Sequence, residues 1–543
     1  MTTGIAPLET TIPTVRPRRT RGVEAPSPRG PEASSRSVWT TRFRGLVVVV
    51  LVAQLAIMLV VSLAEYRRYA LGVGFGTYAQ TWNAIAHGHL DPVSSLIGKP
   101  FWRNDAEFVL WPLSLLYFVF PHPVDLLWMQ DLVLVVTEFV AVSWMLEVVA
   151  AQPHLRATTA RRLVGFGLVV VVANPFLYYA AAYDFHSEVL AALPVLLIAR
   201  ALWRGERRSL WAWVPLALVT SGFGALYVAA VGFSGIIAGP RSRRTGVIVG
   251  AVAVSWLIFV SLVGGNQFGY AHSLGEWYGY LVGAHHGRVT PFDVVVGTLL
   301  HPATALHVLA SRWALVLDLL VSAGLVGLCT SWGWPLATVV LVPSALNANV
   351  AFLNPHAAFQ NWPALPVLAV ASIAVIARWL AQKGSRWRVG MAAAGVWVLS
   401  LVVLGEALLP PLSSFWVSVG PAAAGALAQA EAVIPSGAEL IVSTGVVGRF
   451  AVDGDVRAYG PLSTSFRVDR RLVVFVFAGG QGTYGVRASV ARRAAALVRD
   501  ELGGRVVLER AGVAVLDWHP PAGTTRVNLG AAGHAMQTVG SAR

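Results

Sequence analysis

Six residues, Tyr183-Asp184-Phe185-His186-Ser187-Glu188, stand between apolar runs at 163–182 and 189–202. Two carboxylates, an imidazole and a hydroxyl so close together could bind a metal or a phosphate-associated ion, or exchange protons with a substrate. Ionisable groups at a membrane boundary are costly unless they have partners or a task. A structural reading competes: Asp184 caps the helix that follows, with Ser187 and Glu188 in its positive first turn. Capping leaves His186 without a role. A second acidic pair, Asp105 and Glu107, lies in the polar patch 99–107. Their alternate spacing lets two carboxylates approach one ion from an extended segment. Asp131 and Glu138, seven residues apart, share one face of a third apolar run. A polar contact to a neighbouring helix is the leading reading for that pair, and an intramembrane proton path is the alternative.

These groups need a frame, and composition says which kind. The 543 residues are 56% hydrophobic and 13% charged, with mean hydropathy +0.63, as in a polytopic helical membrane protein. Lys99 and Lys383 are the only lysines among 41 basic residues, an arginine bias that points to a GC-rich, actinobacterial genome. The single cysteine, Cys329, excludes an intramolecular disulfide. The +14 charge falls in short loops between apolar runs, so it reads as membrane topology and not as nucleic-acid binding. A phosphate-binding Walker loop, an HExxH zinc motif and a Gly-x-Ser-x-Gly elbow are all absent from the sequence.

A span needs about 20 apolar residues. The runs 46–64, 124–148, 163–182, 187–203, 246–264, 312–330, 332–346, 363–381 and 389–409 qualify, and 210–238 reads as a hairpin of two short helices. That predicts eleven membrane helices. Arg16 to Arg44, then Arg156, Arg161 and Arg162, then Arg204, Arg207 and Arg208, then Arg241, Arg243 and Arg244, and finally Lys383, Arg386 and Arg388 all fall on one side. The positive-inside rule makes that side cytoplasmic, with the N-terminus in and the C-terminus out. Residues 107–120 would reverse every later loop if they crossed, so they read as a helix lying in the outer leaflet. The hexapeptide and the long loop 65–123 then share the exterior face. So do residues 265–311, with the adjacent pair His285-His286, and the polar stretch 347–362. Residues 1–45 read as a disordered cytoplasmic tail and 46–409 as the transmembrane domain. Strand-like runs at 439–443, 471–477, 505–508 and 513–518, with an amphipathic helix near 487–501, predict an extracytoplasmic α/β domain over 420–518. A loose tail, 519–543, follows.

Several of these residues recur as a pattern. Gln80-Thr81-Trp82-Asn83 leading to Ala86-His87-Gly88, the helix end Leu116-Tyr117-Phe118-Val119-Phe120-Pro121, and the Asp184-Phe185-His186 motif resemble a bacterial polytopic membrane family, domain of unknown function 2079. His301-Pro302 fits more loosely. The likeness runs over roughly residues 65–380, and its one specific motif is Asp-Phe-His. That family in turn resembles the GT-C class of membrane glycosyltransferases. The resemblance implies a mainly α, GT-C-like bundle in the bacterial plasma membrane that moves a sugar from a polyprenyl-phosphate lipid to an envelope acceptor. It implies Asp105 or Glu107 as the catalytic loop acid, Asp184, His186 and Glu188 as lining the substrate cavity, and a divalent cation as the candidate cofactor. The chain departs from the family's pattern at Gly74 and Ala79, at Asn104-Asp105-Ala106, and at Ser221-Gly222-Phe223-Gly224, where the family carries charged residues. Two other functions stand beside transfer: a catalytically degenerate relative that binds lipid or a partner, and a transporter using Asp131 and Glu138.

Overall fold

The computed structural model describes residues 40–103, 107–264, 270–283, 289, 291–338, 345–348, 361–382, 385–416, 418–452, 454–460, 463–482 and 485–530. Asp105, the His285-His286 pair, most of the stretch 347–362, residues 1–39 of the N-terminal tail and 531–543 of the C-terminal one lie outside the described residues.

Among the described residues, six helices are long and apolar enough to cross a membrane: Thr41–Arg67, Val124–Ala150, Ala157–Ala182, Pro240–Val260, Trp362–Ala381 and Arg386–Leu408. The pair Asp293–Leu300 and Pro302–Ser311, bent by 94°, makes a seventh if it counts as one span. Other predicted runs are helical but shorter, as in Ala192–Arg204, Leu210–Thr220 and Gly222–Ala238. The run 312–330 is interrupted: helix Trp313–Ser322 ends, Gly324 takes φ +81°, and Leu325–Cys329 continues as a 3-10 turn. Residues 107–120 do not cross. Leu110–Leu113 and Ser114–Phe118 are short turns, and Leu115, Phe118 and Val119 face outward.

Helix Thr41–Arg67 explains how polar groups enter this bundle. Thr40 caps it, accepting from the Phe43 amide at 3.3 Å. Its buried residues, Val47, Leu51, Gln54, Met58, Ser62 and Glu65, recur every three or four positions and form one stripe. That stripe packs on helix Val124–Ala150, while Val49, Val52, Ile57 and Val60 stay exposed, as a lipid-facing side requires. The stripe's polar members find partners across the seam. Gln54 Nε2 donates to Glu138 Oε1 at 3.2 Å, and Ser62 Oγ donates to Asp131 Oδ2 at 2.7 Å. The predicted neighbour-helix contact for Glu138 is therefore present, and its partner is Gln54.

The third long helix is broken where its sequence demands. Asn174 caps Pro175–Ala182, accepting from the Phe176 amide at 3.0 Å, and Pro175 takes the first helical position, where its missing N–H costs nothing. Ala182 ends this helix, residues 183–186 are non-helical, one helical turn follows at Ser187–Leu190, and Ala192–Arg204 returns through the bundle.

Beyond helix Ser385–Trp416 the chain forms a mixed sheet covered on both faces. Five of its strands are β3 (Glu439–Ser443), β4 (Val456–Tyr459), β6 (Val473–Ala478), β7 (Arg505–Arg510) and β8 (Val513–Trp518), in the order β4-β3-β6-β8-β7. β1 (Val93–Ser94) pairs with β2 (Lys99–Pro100) in the first loop, and β5 (Ser465–Arg467) with β9 (Arg526–Asn528) beside the sheet. β3 pairs in parallel with β4 and β6, and β8 is antiparallel to β6 and β7. Leu440, Val442, Val474 and Val476 face helix Pro421–Val433, while Ile441, Phe475 and Phe477 face helix Ala488–Asp500. Both faces of β3 and β6 are buried, which is why these strands read as continuous apolar runs.

This sheet region is fastened to the first loop. Gly448 N donates to Leu71 O at 3.0 Å, and a Cβ at Gly448 would meet that backbone at 2.8 Å. The Ser95 hydroxyl accepts from the Val456 N–H at 3.1 Å and donates to the Val456 C=O at 2.8 Å. Arg449 lies 4.5 Å from the Tyr69 ring centroid and binds Glu431 at 2.6 Å. Glu431 also accepts from the Tyr69 hydroxyl, whose burial, with that bond, holds the phenol above its ordinary range.

Candidate functional site

The joint 183–188 works as a clasp between the bundle and the long loop 65–123. Helix Val73–Ala86 begins at Gly72, which has no side chain to cap it. The cap comes from Asp184, 112 residues away: its carboxylate accepts from the Gly72 amide at 3.1 Å and the Phe75 amide at 3.4 Å. A carboxylate satisfies orphan amides there and complements the positive end of the helix. The expectation that Asp184 caps the next helix in sequence is thus corrected, since His186 occupies the cap position of Ser187–Leu190. Burial lifts the Asp184 carboxyl above its ordinary value, opposed by the Gly72 amide, His186 and the Phe75 amide. The departure at Gly74 gains a physical reason as well. A Cβ there would stand 3.1 Å from Asp184 Oδ2, so glycine leaves the space that the cap fills.

The joint is held open by one side chain. Asp184 sits in the left-handed region at φ +48°, which Asp tolerates better than most residues. Gln130, fully buried, donates from Nε2 to Ala180 O and Asp184 O, each at 3.1 Å. Its Oε1 accepts from the His186 amide at 2.8 Å. Three backbone groups that the helix break would strand are satisfied together.

Glu107 is the loop's contribution. It is 2% exposed, and its Oε1 accepts from Tyr78 Oη at 2.6 Å and Ser187 Oγ at 2.8 Å. Tyr78 comes from the helix that Asp184 caps, and Ser187 from the joint, so Glu107 and Asp184 tie loop to joint through carboxylates. The Tyr78 ring meets Phe185 edge-on at 5.1 Å and His186 at 6.1 Å. His186 stacks on Tyr183 at 5.1 Å and 15°, which turns Nδ1 toward Glu188 Oε2 at 3.7 Å. The His186 and Glu188 side chains are 15% and 11% exposed, so this pair is the more accessible part of the cluster. Glu107, Asp184, His186 and Glu188 are therefore brought together, and Asp105 lies outside the described residues.

A divalent cation needs several oxygen or nitrogen ligands converging on one point. Asp184 turns to amides and Glu107 to hydroxyls. Among the described residues no group of three or more His, Cys, Asp or Glu side chains is placed to hold a metal ion, so these residues do not fit one.

Three participants escaped the sequence reading. Tyr78 falls within the long loop 65–123, where an aromatic residue carries no chemical signal of its own. Gln130 sits inside an apolar run beside the more conspicuous Asp131. Glu65 falls one residue past the predicted end of the first span. It is 2% exposed, neither carboxylate oxygen has a hydrogen-bond partner, and it lies within electrostatic reach of Asp131 and Asp184. The spacing 54-58-62-65 on one helical face was the signal that would have found it.

Comparison with known proteins adds a neighbour in fold. The chain is similar to ArnT from Cupriavidus metallidurans. Crystal structures of that protein in the apo state and bound to undecaprenyl phosphate each align at 14% identity, covering 87% of this chain and 98% of ArnT, with a TM-score of 0.44. A likeness of that size passes neither residue roles nor ligands to this chain. No family model matches the sequence, and no curated protein matches it.

Proposed function

We propose that this chain is a multi-pass plasma-membrane glycosyltransferase that moves a sugar from a polyprenyl-phosphate donor to an acceptor on the exterior face. In this reading the chain spans the membrane eleven times, with its N-terminus in the cytoplasm and its C-terminal α/β domain, 420–518, outside. Glu107 carries the proposal. A loop carboxylate, drawn to the bundle by Tyr78 and Ser187 beside a partly accessible His–Glu pair, is the arrangement that acid–base group transfer needs.

Glu107, or Asp105 on the same loop, accepts the proton of the acceptor hydroxyl as that oxygen bonds to the anomeric carbon. The anomeric C–O bond to phosphate breaks, and the polyprenyl phosphate leaves with the bonding pair. His186, oriented by Glu188 and Tyr183, faces the departing phosphate and steadies its charge. Undecaprenyl phosphate, the ligand of the ArnT crystal structure, belongs to the same chemical class as this leaving group.

The test is transfer of radiolabelled sugar from a panel of polyprenyl-phosphate sugars by the full chain in proteoliposomes. Glu107→Gln keeps an oxygen for Tyr78 and Ser187 but cannot take a proton. Its expected loss is about 10²–10⁴-fold, with a smaller loss for His186→Ala. A second reading is favoured by the hydrogen bonds themselves, because Asp184 and Glu107 both bind internal donors. In that reading the cluster is a scaffold in a catalytically degenerate, lipid- or partner-binding protein. It requires Glu107→Gln to change stability and no transfer activity to exist with any donor.

A further inference from the structure

The opposite end of the bundle holds a cavity of about 630 Å³ that the transfer reading does not use. Its walls come from four segments, at Trp144 and Val148, Leu202 and Trp203, Ala238 to Ser242, and along most of helix Leu365–Ala381 from Val367 to Trp379, closed by the turn through Cys329 and Trp332. This is the end where the basic loops gather, and four indoles line the space, as aromatic belts do at a membrane–water boundary.

Charge at this end is unevenly matched. Arg200 and Arg204 both bind Glu147, and Arg204 also holds Glu206 at 3.0 Å. The nearby acids are thus taken, while Arg241 and Arg378, which line the cavity, make no ion pair or hydrogen bond with other described residues. Trp144 is 3% exposed, and its indole N–H has no acceptor. Burial of an unmatched donor is unfavourable, so a cavity holding one is suited to an acceptor-rich guest. The lining has two guanidiniums and no carboxylate, and its remaining wall is largely apolar. A volume of this size accommodates a ligand about as large as a headgroup with the start of its chains.

We propose that this cavity is a resident site for one anionic phospholipid. Arg241 and Arg378 hold the phosphate, the Trp144 N–H donates to an ester or phosphate oxygen, and the glycerol and upper acyl carbons lie between the tryptophans. Arg207 and Arg208, on the loop before helix Leu210–Thr220, and Arg243 and Arg244, in the first turns of helix Pro240–Gly264, enrich anionic lipid in the surrounding leaflet.

The test uses the purified full chain in nanodiscs of phosphatidylcholine with or without phosphatidylglycerol, with retained lipid counted by native mass spectrometry. About one phosphatidylglycerol should stay bound, and Arg241→Ala/Arg378→Ala should weaken retention roughly tenfold or more. Trp144→Phe, which keeps the ring and removes the donor, should weaken it less. Arg156→Ala/Arg388→Ala, exposed basic residues outside the lining, should leave the retained lipid in place. Equal retention of phosphatidylcholine, unchanged retention in the Arg241/Arg378 variant at an unchanged melting temperature, or displacement by millimolar inorganic phosphate would each overturn the proposal.

Discussion

The two ends of the bundle treat charge in opposite ways. At the loop end, Glu107 is buried and Asp184 half-buried, and both are held by internal donors: the amides of Gly72 and Phe75 for Asp184, and the hydroxyls of Tyr78 and Ser187 for Glu107. At the basic end, Arg200 and Arg204 bind Glu147 and Glu206, and the Arg241 and Arg378 side chains have no ion pair among the described residues at an open cavity. The loop end satisfies these two carboxylates from within and so fixes a geometry. The other leaves charge for something outside the polypeptide. Substitutions should therefore cost stability at the first end and ligand retention at the second.

The largest expected loss of stability is for Gln130→Ala, which strands the Ala180 and Asp184 carbonyls and the His186 amide. Unfolding in mixed micelles should show a loss of roughly 3–5 kcal/mol. Gly448→Ala pushes a methyl into the Leu71–Gly72 backbone and should cost about 1–3 kcal/mol, accompanied by easier proteolysis between the sheet and the bundle. Asp184→Ala removes a cap and should cost about 0.5–2 kcal/mol by the same unfolding measurement. Arg449→Met removes the cation from the Tyr69 ring and should cost about 0.5–1 kcal/mol. Arg241→Ala and Arg378→Ala should leave the melting temperature unchanged. A substantial loss there would erase the contrast between the two ends.

Asp184 also gives the loop end a pH signature. Its folded value is raised, so the folded chain keeps this proton at pH values where the unfolded chain, near 3.8, has lost it. The group's contribution to stability is then complete below 3.8 and declines as pH rises through the raised value. Unfolding measured against pH should show that decline in the wild type and a flatter profile in Asp184→Asn.

Much of the frame was legible because membranes impose a simple rule on composition. The joint 183–188 stood out as six largely polar residues between apolar runs. β3 and β8 lie where the apolar, β-branched runs placed them, at Glu439–Ser443 and Val513–Trp518. The short strand β4 was missed, since four residues with one polar neighbour carry little periodic signal. The site was less legible than its frame. Sequence-based capping rules are local, so Asp184 was matched to the nearest helix, whereas its amides come from Gly72 and Phe75. Gln130 was hidden because its partners are backbone atoms of a distant break, which no side-chain pattern announces. The stop at Gly324 went unseen for a similar reason: a glycine in an apolar run looks like helix until its φ is known.

The central claim is that the loop 65–123 and the joint meet at the Glu107 carboxylate. A double-mutant cycle of Glu107→Ala and Ser187→Ala, read by equilibrium unfolding in mixed micelles, tests it most directly. A hydrogen bond from a hydroxyl to a buried carboxylate should give a coupling of about 1.5–3 kcal/mol. Single effects that simply add, to within about 0.5 kcal/mol, would contradict it.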